Sequence, residues 1–139
     1  MKIKNYRIRV KTTGFCDIHD LTGEAQEKIS ACGIQNGQIT FFVPGSTAGL
    51  TTVEYEPGLV KDLEELFEKL FPKDKYYHHE DAWHDGNGFA HVRASLLKPS
   101  LTVPVADGKP TLGTWQQVVL IDFDNRPRSR EIVLQVMGE

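Results

Sequence analysis

The chain has 139 residues, 40% of them hydrophobic and 25% charged, with 16 basic against 19 acidic side chains and a net charge of −3. That length implies a single domain, 1–139, able to bury roughly two-thirds of its unfolded surface without help from disulfides or metals. The acidic balance argues against a broad nucleic-acid face but allows a local phosphate site, since two arginines and a helix N-terminus suffice for one anion.

Tyr6, Ile8 and Val10 alternate with Arg7, Arg9 and Lys11, the period-two pattern of a half-buried strand. The same stretch lacks the continuous apolar segment of a secretory leader, and no apolar run is long enough to span a bilayer. A cytoplasmic protein with no membrane partner is therefore expected. Asp20 or Thr22 is placed to cap a helix with the stripe Leu21, Ala25, Ile29 and Cys32, stopped by Gly33. Cys16 and Cys32 have no CxxC spacing and read as free, buried thiols.

Gln38 to Val43 reads as a strand broken at Pro44-Gly45, and Leu50 to Glu54 as the next extended piece. Pro57 sits where a first helical residue is favoured, and Leu59, Leu63, Leu66, Phe67 and Leu70 form the stripe of a helix ending at Phe71-Pro72. A polar stretch from Lys73 to Gly88 carries His78, His79 and His84, and a short helix, Phe89 to Leu97, carries His91. Leu101, Val103 and Val105 alternate before the turn Asp107-Gly108. Val118 to Phe123 is apolar on both faces, as a central strand is. Asp124-Asn125 and Pro127 make a turn, and Ile132, Leu134 and Val136 form a closing strand. The fold class is α+β, a largely antiparallel sheet or sandwich system with two or three helices.

The chemistry-bearing stretch is His79 to His91. Gly86 and Gly88 beside Asp85 and Asn87 allow a tight turn, with Asp85 or Asn87 placed to cap the helix that follows. On that helix the apolar side is centred on Phe89, Val92 and Leu96. His91 lies opposite, with Ser95 one turn along, so it is either solvated or faces a cavity. His79, His84 and His91 with Asp81 or Asp85 offer enough imidazole and carboxylate for a metal site, yet match no ligand signature. Capping, a solvated loop and proton transfer by an imidazole titrating near neutrality are the other readings.

Gly45-Ser46-Thr47 reads as a strand-to-strand turn or a small phosphate-binding one. Trp115 reads as a core or interface residue, and Gln116 heads a buried strand where its amide needs partners. Glu54 either faces the same pocket or is a solvated edge carboxylate. Arg126, Arg128 and Arg130 alternate as a solvated face does, although an arginine there can also bind an anion bidentately.

Taken in order, Phe42-Val43-Pro44-Gly45-Ser46-Thr47-Ala48-Gly49-Leu50-Thr51, Glu54, His79, Asp85-Gly86-Asn87-Gly88, His91, Ser95-Leu96-Leu97, Thr102-Val103-Pro104-Val105, Leu112 to Gln117 and Pro127-Arg128-Ser129-Arg130 resemble the YjbQ-like family. The resemblance covers about Lys4 to Gly138. Many members of that family carry the name secondary thiamine-phosphate synthase enzyme.

The resemblance implies a compact α+β domain, a homotrimer, and site residues Ser46, Thr47, Glu54, His79, Asp85, Asn87, His91, Gln116 and Arg128. Catalysis would fall to His91, His79, Asp85 and Glu54. Ligand binding would fall to Ser46, Thr47, Asn87, Gln116 and Arg128. His79, His91 and Asp85 would hold a divalent metal, Mg²⁺ or Zn²⁺. The chain departs from the family pattern at Phe89, where a polar residue is common, and at Lys98, where glycine is. The implied activity joins a pyrimidine diphosphate to a thiazole phosphate with loss of pyrophosphate. Such chemistry calls for cationic groups around the leaving diphosphate, and the basic residues nearest the motif are Arg93 and Lys98. The expectation is an enzyme acting on a small phosphorylated molecule, the alternatives being a non-catalytic metal or ligand module and an assembly protein.

Overall fold

A computed structural model describes all 139 residues. In chain order the elements are β1 (Lys2–Thr12), β2 (Asp17–Asp20), α1 (Thr22–Cys32), β3 (Gly37–Phe42), β4 (Ala48–Val53), α2 (Pro57–Leu70), α3 (Glu80–Trp83), α4 (Gly88–Leu97), β5 (Ser100–Ala106), β6 (Lys109–Pro110), β7 (Gln117–Asp122) and β8 (Arg128–Gly138). The α+β class is as expected. The short elements β2, α3 and β6 escape a sequence reading because each is too brief to show a period, and α3 brings the helices to four.

The strands form two antiparallel sheets, one ordered β1-β8-β3-β5-β6 and the other β2-β7-β4. Period-two alternation aims Ile8, Ile39, Phe41, Val103, Ile132 and Leu134 at the second sheet, where Leu50, Val118 and Leu120 meet them. The other face of β7 sends Val119 and Ile121 against Phe67 of α2 and Phe89, Ala90 and Ala94 of α4. β7 is thus buried on both sides, as its unbroken apolar run predicts. With each buried Val, Leu or Ile contributing roughly 1.5–3 kcal/mol, this strand is a rigid base for whatever hangs from its ends.

Local chemistry explains the helix limits. The Glu56 carboxylate accepts the Gly58 and Leu59 N–H groups at 2.7 and 2.9 Å, capping α2 ahead of Pro57. Gly33 takes the left-handed conformation, φ 69°, that ends α1. Asp20 accepts the Thr22 N–H at 2.9 Å, whereas the Thr22 hydroxyl turns to the Val118 N–H of β7.

The face of α4 is not the one expected. The helix buries Phe89, Ala90, Arg93 and Ala94, and leaves Val92 37% and Leu96 61% exposed. Three contacts of Arg93 decide this. Arg93 reaches Glu68 at 2.9 Å and the Phe71 carbonyl at 2.7 Å, while its guanidinium lies 4.9 Å from the centre of the Phe89 ring. A buried cation with these acceptors and a ring face is stabilised where a hydropathy pattern places it outside. The small Ala90 and Ala94 then let the helix approach β4, so closely that a Cβ on Gly49 would lie 2.9 Å from that of Leu97.

Candidate functional site

The β3–β4 turn, the loop into α4 and the β7–β8 turn converge at one end of the second sheet. His91, half-buried on α4, lines a cleft of about 350 Å³ with Gly45, Ser46, Ala48 and Ser95. His79, at the start of α3, places its ring 4.3 Å from that of His91, centre to centre, tilted by 34°. Its Nδ1 is buried, has no hydrogen-bond partner, and lies 3.5 Å from Asp85 Oδ1. Burial pushes the His91 imidazole below its ordinary pKa and the neighbouring His79 adds to the effect, with Asp85 and Asp124 opposing it.

Neither predicted cap serves as one. The Asp85 carboxylate accepts the Asn87 N–H at 3.1 Å, and Asn87, 5% exposed, turns its side-chain oxygen to the Asn125 N–H at 3.0 Å. Asn125 in return donates its amide to the Asp85 carbonyl at 2.6 Å. The two asparagines so tie the histidine-bearing loop to the β7–β8 turn. The Glu80 carboxylate accepts the Gly86 N–H at 2.6 Å, and Gly86 adopts φ 65°.

Below this loop is a buried ion cluster. Arg130 grips Asp122 through Nε and Nη2 at 2.7 and 2.9 Å and donates from Nη2 to the Thr47 hydroxyl at 2.6 Å. Thr47 donates to Asp124 Oδ2 at 2.8 Å, and Arg128 reaches the same oxygen from Nε at 3.1 Å. Thr12 closes the set on Asp122 at 2.6 Å. Burial works to raise the Asp124 carboxyl, but hydrogen bonds from Thr47 and Arg128 outweigh it and hold that group below the ordinary carboxylate value. Asp124 Oδ1 is buried without a partner.

The structure therefore brings together Ser46, Thr47, His79, Asp85, Asn87, His91 and Arg128. Within one chain it leaves Glu54 and Gln116 apart. Glu54 is exposed beyond the end of β4, and Gln116 accepts the Gly113 N–H and donates to the Thr52 hydroxyl at 3.0 and 3.1 Å. Trp115 is 73% exposed, so it is no core residue of this chain. His78 is exposed and His79 faces inward.

The cationic groups also differ from expectation. Arg93 is committed to Glu68 on the far side of α4, and Lys98 is exposed. Arg130, with its side chain only 10% exposed, is no solvated face. Asp122 and Asp124 are the site-forming residues that sequence reasoning missed, and Arg130, read there chiefly as part of a solvated face, joins them. The available signal was an aspartate inside the apolar run of β7, since a carboxylate there needs a paired cation. No three His, Cys, Asp or Glu side chains of the one chain are grouped closely enough to hold a metal ion. No helix is long and apolar enough to cross a membrane.

Comparison with known proteins agrees with this frame. The family described as UPF0047 protein YjbQ-like matches residues 6–139. A UPF0047 protein of Archaeoglobus fulgidus is 35% identical over 130 residues, 94% of this chain and 98% of that one. The UPF0047 protein YugU of Bacillus subtilis is 33% identical over 132 residues, 94% and 97% of the two chains. The crystal structure of a hypothetical protein from Aeropyrum pernix K1 superposes with a TM-score of 0.91 at 32% identity, covering 98% of this chain and 99% of that one. Matches spanning nearly the whole length establish that the chain belongs to the YjbQ-like UPF0047 family.

Proposed function

We propose that this protein is an enzyme acting on a small phosphorylated molecule, with His91 as its proton-transfer group. The observation that carries the reading is the His79–His91 pair opening onto the cleft beside Ser46, directly above a buried arginine–aspartate cluster. An imidazole held neutral accepts a proton from a bound substrate near pH 7 and returns it to a leaving group. The neighbouring His79 limits the charge His91 can carry, and Asp85 opposes that effect. Asn87 and Asn125 hold the histidine loop on the cluster, and Ser46 offers a hydroxyl at the mouth.

In its most specific form the reading is a transferase making thiamine phosphate. A thiazole nitrogen would form the new C–N bond as the C–O bond to pyrophosphate breaks. Arg128 and Arg130 stand nearest the Ser46–Thr47 turn to meet the departing charge, and His91, having first taken a proton from solvent, would pass it to the leaving pyrophosphate. A divalent ion, Mg²⁺ or Zn²⁺, belongs to the same proposal, but the residues as placed offer it no ready ligand set and no step depends on it. We also propose a cytoplasmic homotrimer. Its support is the uncovered outer face of the five-stranded sheet, where Ile3 is 54% and Phe42 42% exposed.

Turnover of thiamine-pathway phosphates, measured with and without Mg²⁺, tests the reading. His91→Ala is expected to lower the rate about 10²-fold or more with the melting temperature retained. A folded His91→Ala protein with full turnover removes His91 from the mechanism. Stabilisation by phosphate esters with no turnover of any would make the site a binding module.

A further inference from the structure

An arginine carries five N–H donors. In Arg130, Nε and one Nη2 hydrogen go to Asp122, and the other Nη2 hydrogen goes to Thr47. The two on Nη1 meet no acceptor in the protein, although nine-tenths of the side chain is buried. Nη1 is the end of the side chain not sealed from solvent, so its two donors stay open to water or to a ligand oxygen.

Nη1 points at Gly45. A methyl group on that glycine would lie 3.0 Å from Nη1 and within 4 Å of no other part of the fold. Beyond the turn itself, the guanidinium is thus the nearest group to this opening, at N–H···O distance. Gly45 holds φ 115°, a conformation that L side chains rarely adopt, so the turn is built to stay bare at this point. Gly45 and Ser46 also line the cleft occupied by His91, so an oxygen resting on Nη1 belongs to a molecule within reach of the histidine pair.

We propose that the Nη1 end of Arg130, beneath Gly45, is the seat for a phosphoryl oxygen of the ligand. This rests on the proposed action on phosphorylated molecules and assigns the group that recognises the phosphate. The charge of Arg130 is already balanced by Asp122, so the seat selects by hydrogen-bond geometry more than by net charge.

The test is binding of inorganic phosphate to the full chain, followed by ³¹P line broadening and calorimetry, with acetate as a competing anion. Gly45→Ala fills the opening, and Arg130→Lys keeps the charge but removes the free nitrogen. Each is expected to weaken phosphate binding by about tenfold or more. Should Arg130→Lys fail to fold, Gly45→Ala decides alone, because it lies on an exposed turn. Undiminished phosphate binding in folded Gly45→Ala overturns the assignment, as does absence of phosphate binding in the parent protein. Acetate competing as well as phosphate would overturn the phosphoryl assignment in favour of a carboxylate. None of these outcomes bears on whether His91 moves a proton, which turnover alone decides.

Discussion

The imidazole of His79 lies tilted 34° across that of His91, with ring centres 4.3 Å apart. Two rings this close cannot both carry a proton without repulsion, and both are partly removed from water. Burial and the neighbouring imidazole therefore both keep His91 from gaining charge, which suits a proton acceptor near neutral pH.

His91 should accordingly titrate below its ordinary value of 6.5 when its ring protons are followed by NMR. His79→Gln removes the like charge and should raise the His91 value, while Asp85→Asn should lower it further. The sign for stability follows from the depressed folded-state value. The contribution is complete above the unfolded value near 6.5 and is lost as the pH falls through the lower, folded one. A His91 value unmoved by His79→Gln would dissolve the pair as a functional unit.

The Thr47 hydroxyl gives a hydrogen bond to Asp124 and takes one from Arg130, at 2.8 and 2.6 Å. Thr47→Val keeps the shape, removes both, and should cost about 1–3 kcal/mol in urea unfolding at pH 7. Asp124 is held below its ordinary value of 3.8, so its contribution is present above that pH and lost as pH falls through the folded value. In Asp124→Asn the acid limb of the stability curve should flatten while the protein is weaker at neutral pH. An acid limb identical to that of the parent would show that other carboxylates carry it.

Burial pushes the Cys16 thiol up to about 12, with Arg93 lowering it only in part. Native protein treated with iodoacetamide at pH 8 should leave Cys16 unmodified by peptide mass spectrometry, and denaturant should release it, because the thiolate is the nucleophile. Rapid labelling of Cys16 in the folded state would mean that its neighbourhood opens readily.

Much of the frame was legible in order along the chain. The strands around Ile8, Ile39, Val103, Val118 and Ile132 follow from alternation. The helix at Pro57 follows from its first residue and its stripe, although Leu66 and Leu70 of that stripe are 47% and 53% exposed. These signals are local: period two or 3.6, a proline, a glycine in the left-handed region. The family motifs likewise placed Ser46, Thr47, His79, Asp85, Asn87, His91 and Arg128, which the fold does gather.

Pairings between distant segments decided the remainder. Nothing local says that Arg93 turns inward to Glu68, 25 positions earlier, and thereby rotates α4 so that Val92 and Leu96 face out. Nothing local says that Arg130 lies on Asp122 and Thr47, the latter 83 positions away, or that Asn87 holds Asn125 in place of a helix start. A charged side chain reads as solvated until its partner is known, because burial is favourable only once the opposite charge and the hydrogen bonds are supplied. The sequence by itself determined the elements, the family and the histidine-bearing loop. The tertiary structure alone decided which charges are buried and which nitrogen of Arg130 is left unspent, because those depend on which strand ends the two sheets bring together.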